Sequence, residues 1–358
     1  MGDWSDYARG LDGNGLNRRS FVKLGSAAAL AGWVGGCSPA ISSTGPGPVS
    51  GLLPADRIRK FGQGVIDSEA VLVDKDGSVF GFGAAGIVYR ATQDGKVEEY
   101  ARLPEGSIPA GFAKDRKGNF VYCCLGKSAL MRVDPDGNVS MFADHAGPVP
   151  LTSPNFASYD AEGNLYASVT SVKHDYEHLV DMMASQEPNG ALVRIRPDGR
   201  GELIASKIFS ANGTAISPTE DAVYVLESRL KRCLRIAIRK DGSTGQPEIF
   251  SDGFPSIPDG MAFDAAGRLY VTCVAKRAKN EEALSHLDLK ATNQIIRIDT
   301  DGKWSLLVDD SGGEQFTYPT NCAFGGDGLR QLYVANARGS HFTIVDVDSP
   351  GHPLYHQR

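Results

Sequence analysis

The stretch "PDGMAFDAAGRLYVT", Pro258 to Thr272, sets an aspartate between a proline and a glycine. It then runs through a short apolar strand, a polar turn and a second strand. An apolar run, a D/G/N-rich turn and another apolar run ending in an aromatic residue or Val is the signature of a β-hairpin. The same signature returns at "EAVLVDKDGSVF" from Glu69, "AGFAKDRKGNFVY" from Ala110, "NFASYDAEGNLY" from Asn155, "NGTAISPTEDAVY" from Asn212 and "TNCAFGGDGLRQLY" from Thr320. Each copy has one head residue ahead of its first apolar run.

A second hairpin pattern follows each first one, as in "ALMRVDPDGNVSMF" (129–142), "QIIRIDTDGKWSLL" (294–307) and, for the last copy, "HFTIVDVDSPGHPLY" (341–355). Two hairpins per unit make four strands. Six units spaced by 41 to 61 residues predict an all-β, six-bladed β-propeller of four-stranded blades, because a closed ring of radial sheets leaves no long exposed edge. The last unit needs a strand from elsewhere, and the segment Ile58 to Val65 is expected to supply it and close the ring. The propeller should span residues 55–358.

Ahead of it, "NRRSFVKLGSAAALAGWVGGC" carries Arg18 and Arg19, then Phe21, Lys23 and a weakly apolar run. This resembles a twin-arginine export signal over residues 1–37. The run is too short to span a bilayer, and "VGGC" resembles a lipobox that would make Cys37 a lipidated, membrane-attached residue. A Ser/Pro/Gly linker follows over 38–54. The expected location is the periplasm or cell envelope, reached through the twin-arginine translocation machinery. With 37 Lys and Arg against 43 Asp and Glu, the chain is acidic at −6 and has no basic stripe, which argues against nucleic acid as a partner. The remaining cysteines, Cys123, Cys124, Cys233, Cys273 and Cys322, have no C-x-x-C spacing and lie in strand runs. They read as buried apolar side chains, with Cys123 and Cys124 on opposite sheet faces.

In a propeller, equivalent positions of successive blades ring the axis at one end. The heads are Glu69, Ala110, Asn155, Asn212, Asp259 and Thr320. Four of them carry hard oxygen donors, and two of those four are carboxylates. Such a set, without His or Cys, suits one divalent ion, Ca2+ before Mg2+, Mn2+ or Zn2+. Aspartates in the D-G turns, such as Asp136, Asp198 and Asp301, read as turn formers.

On these residues the region from Glu69 to Tyr355 resembles the gluconolactonase and regucalcin (senescence marker protein) family of six-bladed propellers, through "SPNFASYDAEGNLYAS", "ANGTAISPTEDAVYV", "PDGMAFDAAGRLYVT" and "YPTNCAFGGDGLRQLYVA". The resemblance implies a metal held by Glu69, Asn212 and Asp259, with Asn155 facing the metal or its water and touching substrate, and Asp259 as general base or nucleophile. It implies a divalent-metal-dependent hydrolase acting on a small lactone or related ester. The family's R-P-N-D string reads "SPNF" here, so Ser153 and Phe156 are expected to face substrate in place of an Arg and an Asp, which leans the substrate away from a sugar lactone. A phosphotriesterase-like or strictosidine-synthase-like enzyme and a non-catalytic ligand-binding propeller are the alternatives. Two insertions, 172–189 and 274–293, follow the second strand of a blade. Helical spacing is expected at Tyr176, Leu179, Val180 and Met183 and around Glu281 to Leu289, with His174 lining the substrate site.

Overall fold

A computed structural model describes residues 51–178, 187–277 and 289–358. The export signal with Cys37, most of the linker, Leu179, Val180, Met183 and the segment 278–288 lie outside the described residues. Among the described residues, no helix is long and apolar enough to cross a membrane.

Six four-stranded antiparallel sheets account for nearly all of the regular structure. Blade 1 comprises Ser68–Val73, Val79–Gly83, Ile87–Ala91 and Val97–Arg102, and blade 2 comprises Pro109–Lys114, Phe120–Cys124, Ala129–Val133 and Val139–Ala143. The inner strands of the next three are Pro154–Tyr159, Ala211–Ile216 and Ile257–Phe263. Blade 6 takes Pro319–Gly325, Gln331–Asn336 and Phe342–Asp346, and its outermost strand is Ile58–Phe61 from the other end of the domain, with Ile58 opposite Val345 and Phe61 opposite Phe342. This is the expected closure, though the strand stops at Phe61, where Gly62 turns the chain at φ +63.

The second half of the sixth copy differs from its sequence reading. "PGHPLY" forms no strand: Gly351 makes a single bridge to Asp264, and the chain then crosses the end of the axial channel. Its place in the sheet is already filled by Ile58–Phe61.

Six large apolar clusters sit one at each interface between neighbouring blades, where the alternating residues of facing sheets interdigitate. Cys123 belongs to the cluster between blades 2 and 3 and Cys124 to that between blades 1 and 2, as the strand alternation requires. All five described cysteines are free and buried. In the turns, Asp198 and Asp301 accept backbone N–H bonds from residues two ahead, which is the turn chemistry read for the D-G stretches, whereas in the blade 2 turn the acceptor is Asp134 and Asp136 donates its backbone N–H to it. The 274–293 insertion is partly an extension of the blade 5 hairpin, with Ala275 opposite Ala291 and Lys276 opposite Lys290. Strand therefore begins at Leu289, where the sequence suggested the end of a helix.

Candidate active site

The head residues mark a break in the ladder that recurs in all six blades. The register between first and second strand slips at Glu69, across Ala110–Gly111, at Asn155, across Asn212–Gly213, across Asp259–Gly260 and at Thr320. Each head is thus the unpaired residue of a β-bulge, released from the pleat and free to aim its side chain at the axis. Hydroxyls on the second strands serve the backbone at some of these breaks. Ser168 Oγ accepts from the Phe156 N–H at 3.0 Å, and Thr272 Oγ1 accepts from the Gly260 N–H at 3.0 Å. A sequence signal for the bulges was present. Pro109, Pro154, Pro258 and Pro319 each precede a head, and proline has no N–H to give a ladder.

The bulges bring the heads of adjacent blades together. Thr320 Oγ1 donates to the Glu69 carbonyl at 2.7 Å, Ser228 Oγ to the Pro258 carbonyl at 2.6 Å and Thr170 Oγ1 to the Ala211 carbonyl at 2.8 Å. Glycine follows three heads because the next inner strand presses on it. A Cβ on Gly213 would lie 2.5 Å from the Asp259 carbonyl oxygen, and one on Gly260 would lie 2.6 Å from that of Thr320.

The four oxygen-bearing heads are all half-buried, whereas Ala110 and Thr320 are buried. Burial raises the Glu69 carboxyl to about 7. Asp259 is raised well above the ordinary carboxylate range, first by burial and then by the charge of Glu69, with a hydrogen bond from Asn212 acting in the opposite sense. Two buried carboxylates that feel each other do not both ionise readily without a cation. Asn212 Oδ1 is buried with no hydrogen-bond partner, so the amide that donates to Asp259 leaves its oxygen unused. Among the described residues, no three His, Cys, Asp or Glu side chains cluster, which agrees with a donor set that mixes two carboxylates with amides. An orphaned carbonyl oxygen beside a mutually repelling carboxylate pair fits a hard divalent ion.

Tyr318, one residue before the Pro–Thr head of blade 6, adopts φ 69, an outlier for an aromatic side chain. It is buried, its phenol feels Asp259 and Glu69, and the Arg338 guanidinium stacks on its ring at 4.2 Å. Sequence reasoning passed over both residues, since neither occupies a repeat-equivalent position.

The remaining predicted residues fall in different surroundings. Phe156 lines the channel wall. Ser153 is fully buried, and its hydroxyl donates to the His174 carbonyl at 2.6 Å, so it pins the start of the 172–189 segment. The His174 ring is half-exposed, and its backbone N–H bonds to Ser171 Oγ. His178 is engaged with Asp175 at 2.7 Å. Tyr176 to His178 form a single 3-10 turn.

Below the heads, the channel is lined by the next residues of each inner strand, including Val71, Phe112, Thr214, Met261 and Asn321. The segment His352–Arg358 closes its far end.

Comparison with known proteins gives these observations a context. The SMP-30/Gluconolactonase/LRE-like region matches residues 83–338. A gluconolactonase of Zymomonas mobilis is 26% identical over 215 residues, covering 57% of this chain and 54% of the relative. Protein strictosidine synthase-like 4 of Arabidopsis thaliana is 23% identical over 190 residues, covering 53% of this chain and 50% of the relative. The match therefore spans about half the length of these curated relatives. Among solved structures, a calcium-binding regucalcin of Agrobacterium tumefaciens superimposes with a TM-score of 0.62 at 17% identity, covering 83% of this chain and 96% of that one, a likeness of fold.

Proposed function

Because the chain belongs to the SMP-30/gluconolactonase/LRE-like family, we propose that it is a divalent-metal-dependent hydrolase that opens a lactone or related ester at the head ring. One observation carries this reading: the unpartnered Asn212 Oδ1 stands beside the repelling pair Glu69 and Asp259, so the head ring presents an acceptor-rich set of groups that a cation would complete. Glu69, Asn212 and Asp259 would hold the ion, with Asn155 adding a fourth oxygen. A gluconolactonase among the relatives supports the lactone class, and a calcium-binding protein among the structural neighbours supports Ca2+ as the first candidate. When bound, the ion supplies a Lewis acid for the ester carbonyl.

The chain's own groups do the rest. Asp259 is the proton acceptor for the attacking water, the role the family resemblance gives it, and burial together with the charge of Glu69 raises its carboxyl above the ordinary carboxylate range. The Asn212 amide orients the Asp259 carboxylate through its hydrogen bond. Asn155 orients the water or the carbonyl. Phe156 gives the channel wall an apolar surface, and Ser153, spent on the His174 carbonyl, offers no group to a polyol. These features favour a lactone less polar than a sugar lactone. They also favour the second reading, a condensing or lyase activity on the same scaffold, to which the strictosidine synthase-like relative points.

The test is to strip the protein with chelator and re-add Ca2+, Mg2+, Mn2+ or Zn2+ singly, reading acid release from sugar lactones, aryl lactones and aryl esters. Activity restored by one ion supports the hydrolase. Cation binding without turnover of any ester removes it and leaves the second reading.

We further infer that residues 1–37 direct export by the twin-arginine route and that Cys37 anchors the protein to the envelope. Cell fractionation after replacing Arg18 and Arg19 by Lys tests the first inference. Mass spectrometry of the mature N-terminus tests the second.

A further inference from the structure

Asn321 lies immediately after the blade 6 head, and its backbone is paired regularly with Ala335. Its side chain lines the axial channel one residue below the head ring, yet the residue is only 3% exposed. Its Oδ1 has no hydrogen-bond partner and packs 3.1 Å from the point where a Cβ on Gly260 would stand. The equivalent residues of the other blades are Ala70, Gly111, Phe156, Gly213 and Gly260. An amide in this layer is thus a departure from the repeat, placed against the residue that follows Asp259.

A buried amide that serves no strand, cap or turn is a cost to stability, and an apolar residue of the same volume would remove that cost. The group that suits an amide at a channel wall is one that accepts from N–H and donates to C=O, namely an O–H group. We propose that Asn321 is a positioning residue of the axial site that binds one O–H group, a substrate hydroxyl or a water, at the channel wall beside Gly260. The inference rests on the hydrolase reading for its kinetic arms, and its structural arm stands apart from that reading.

Asn321→Leu keeps the volume and removes both hydrogen-bonding atoms. Its thermal midpoint should equal or exceed that of the parent, while kcat/KM should fall about 10- to 100-fold, the range for an unpaired polar contact. Loss confined to KM for a hydroxyl-bearing lactone identifies a substrate hydroxyl. Loss in kcat for hydroxylated and unsubstituted lactones alike identifies a water. Asn321→Ser, which keeps one hydroxyl, should recover part of the loss. Unchanged kcat/KM for both lactones, or a Ser variant no better than Leu, overturns the proposal. Calorimetry with Ca2+ should give parent-like affinity for Asn321→Leu, and a tenfold weaker affinity would place the amide on the ion and overturn the O–H assignment. If Asn321→Leu fails to fold, the Ser variant carries the kinetic test against the parent. Independently of turnover, a crystal structure of the parent protein should show an oxygen within about 3.2 Å of the Asn321 amide. Empty space there overturns the proposal even if the lactonase activity is real, and an ordered oxygen there sustains it even if no lactone is cleaved.

Discussion

The two ends of the axial channel hold similar numbers of polar groups in opposite conditions. At the far end, Lys114 pairs with Asp74 and lies over the rings of Phe80 and Phe120. His356 and Gln357 donate to the Val73 carbonyl at 3.0 and 2.8 Å, and Arg358 pairs with Glu220, which also accepts from the Ala161 N–H. Tyr355 stacks on Tyr159 at 5.3 Å and under Arg116 at 4.4 Å. Charge is neutralised and hydrogen bonds are made, so this end stitches inner strands to the tail. At the head end, two carboxylates repel each other and two amide oxygens stand without partners. A folded chain tolerates such frustration where a ligand resolves it. The contrast separates a satisfied polar layer from an unsatisfied one at opposite ends of the inner strands.

The contrast can be broken most sharply at Asp259. Asp259→Ala should lower lactone hydrolysis at least about 1,000-fold, as loss of a base and ligand together does, while its thermal midpoint without cation stays level or rises, because the repulsion with Glu69 is gone. A variant that keeps most of its activity removes Asp259 from the chemistry. Next in size, Asn212→Leu should weaken Ca2+ binding about 10- to 100-fold in titration calorimetry, and undiminished affinity would show that the orphaned oxygen is no ligand.

A pH series sharpens the same comparison. Glu69 and Asp259 have folded pKa values above their unfolded ones, Glu69 at about 7. Their ionisation therefore opposes folding, and the penalty is absent below the unfolded carboxylate range and grows as pH rises through the folded pKa. The thermal midpoint of the cation-free protein should fall between about pH 5 and pH 8, whereas cation affinity should rise over the same interval as protons leave the ligands. A cation-free midpoint that rises across this window contradicts the repulsion.

At the far end, Tyr355→Ala should cost about 1–3 kcal/mol of stability, the sum of an aromatic pair, a cation–π contact and apolar packing. It should leave kcat/KM within about twofold, because no head residue is touched. A large kinetic loss would mean that the two ends are coupled. The smallest effect is expected at an exposed turn: Asp198→Asn keeps the oxygen that accepts from the Arg200 N–H and should shift the midpoint by less than a degree or so, within the range of surface substitutions.

The periodic part of this protein was legible in its sequence. Hairpin alternation, D-G turns and the recurrence of heads follow from local rules, since strand pleat and turn conformation act over a few residues. The same recurrence nominated Glu69, Asn155, Asn212 and Asp259, because a ring turns equal sequence positions into neighbours. What departs from the period needed the tertiary structure. Neither the bulge at each head nor the press of one blade on Gly213 and Gly260 of the next is a local property, although the prolines before four heads hint at the first. "PGHPLY" looked like a strand, but the ring had one vacancy and Ile58–Phe61 occupied it. Ser153 was read as facing substrate until packing turned its hydroxyl to the His174 carbonyl, and Asn321 stood out only once its oxygen was seen to lack a partner. Sequence alone determined which residues could meet on the axis, since repetition encodes symmetry. Only the closed ring decided which of them meet unsatisfied, because burial and hydrogen-bond balance depend on atoms far apart in the chain.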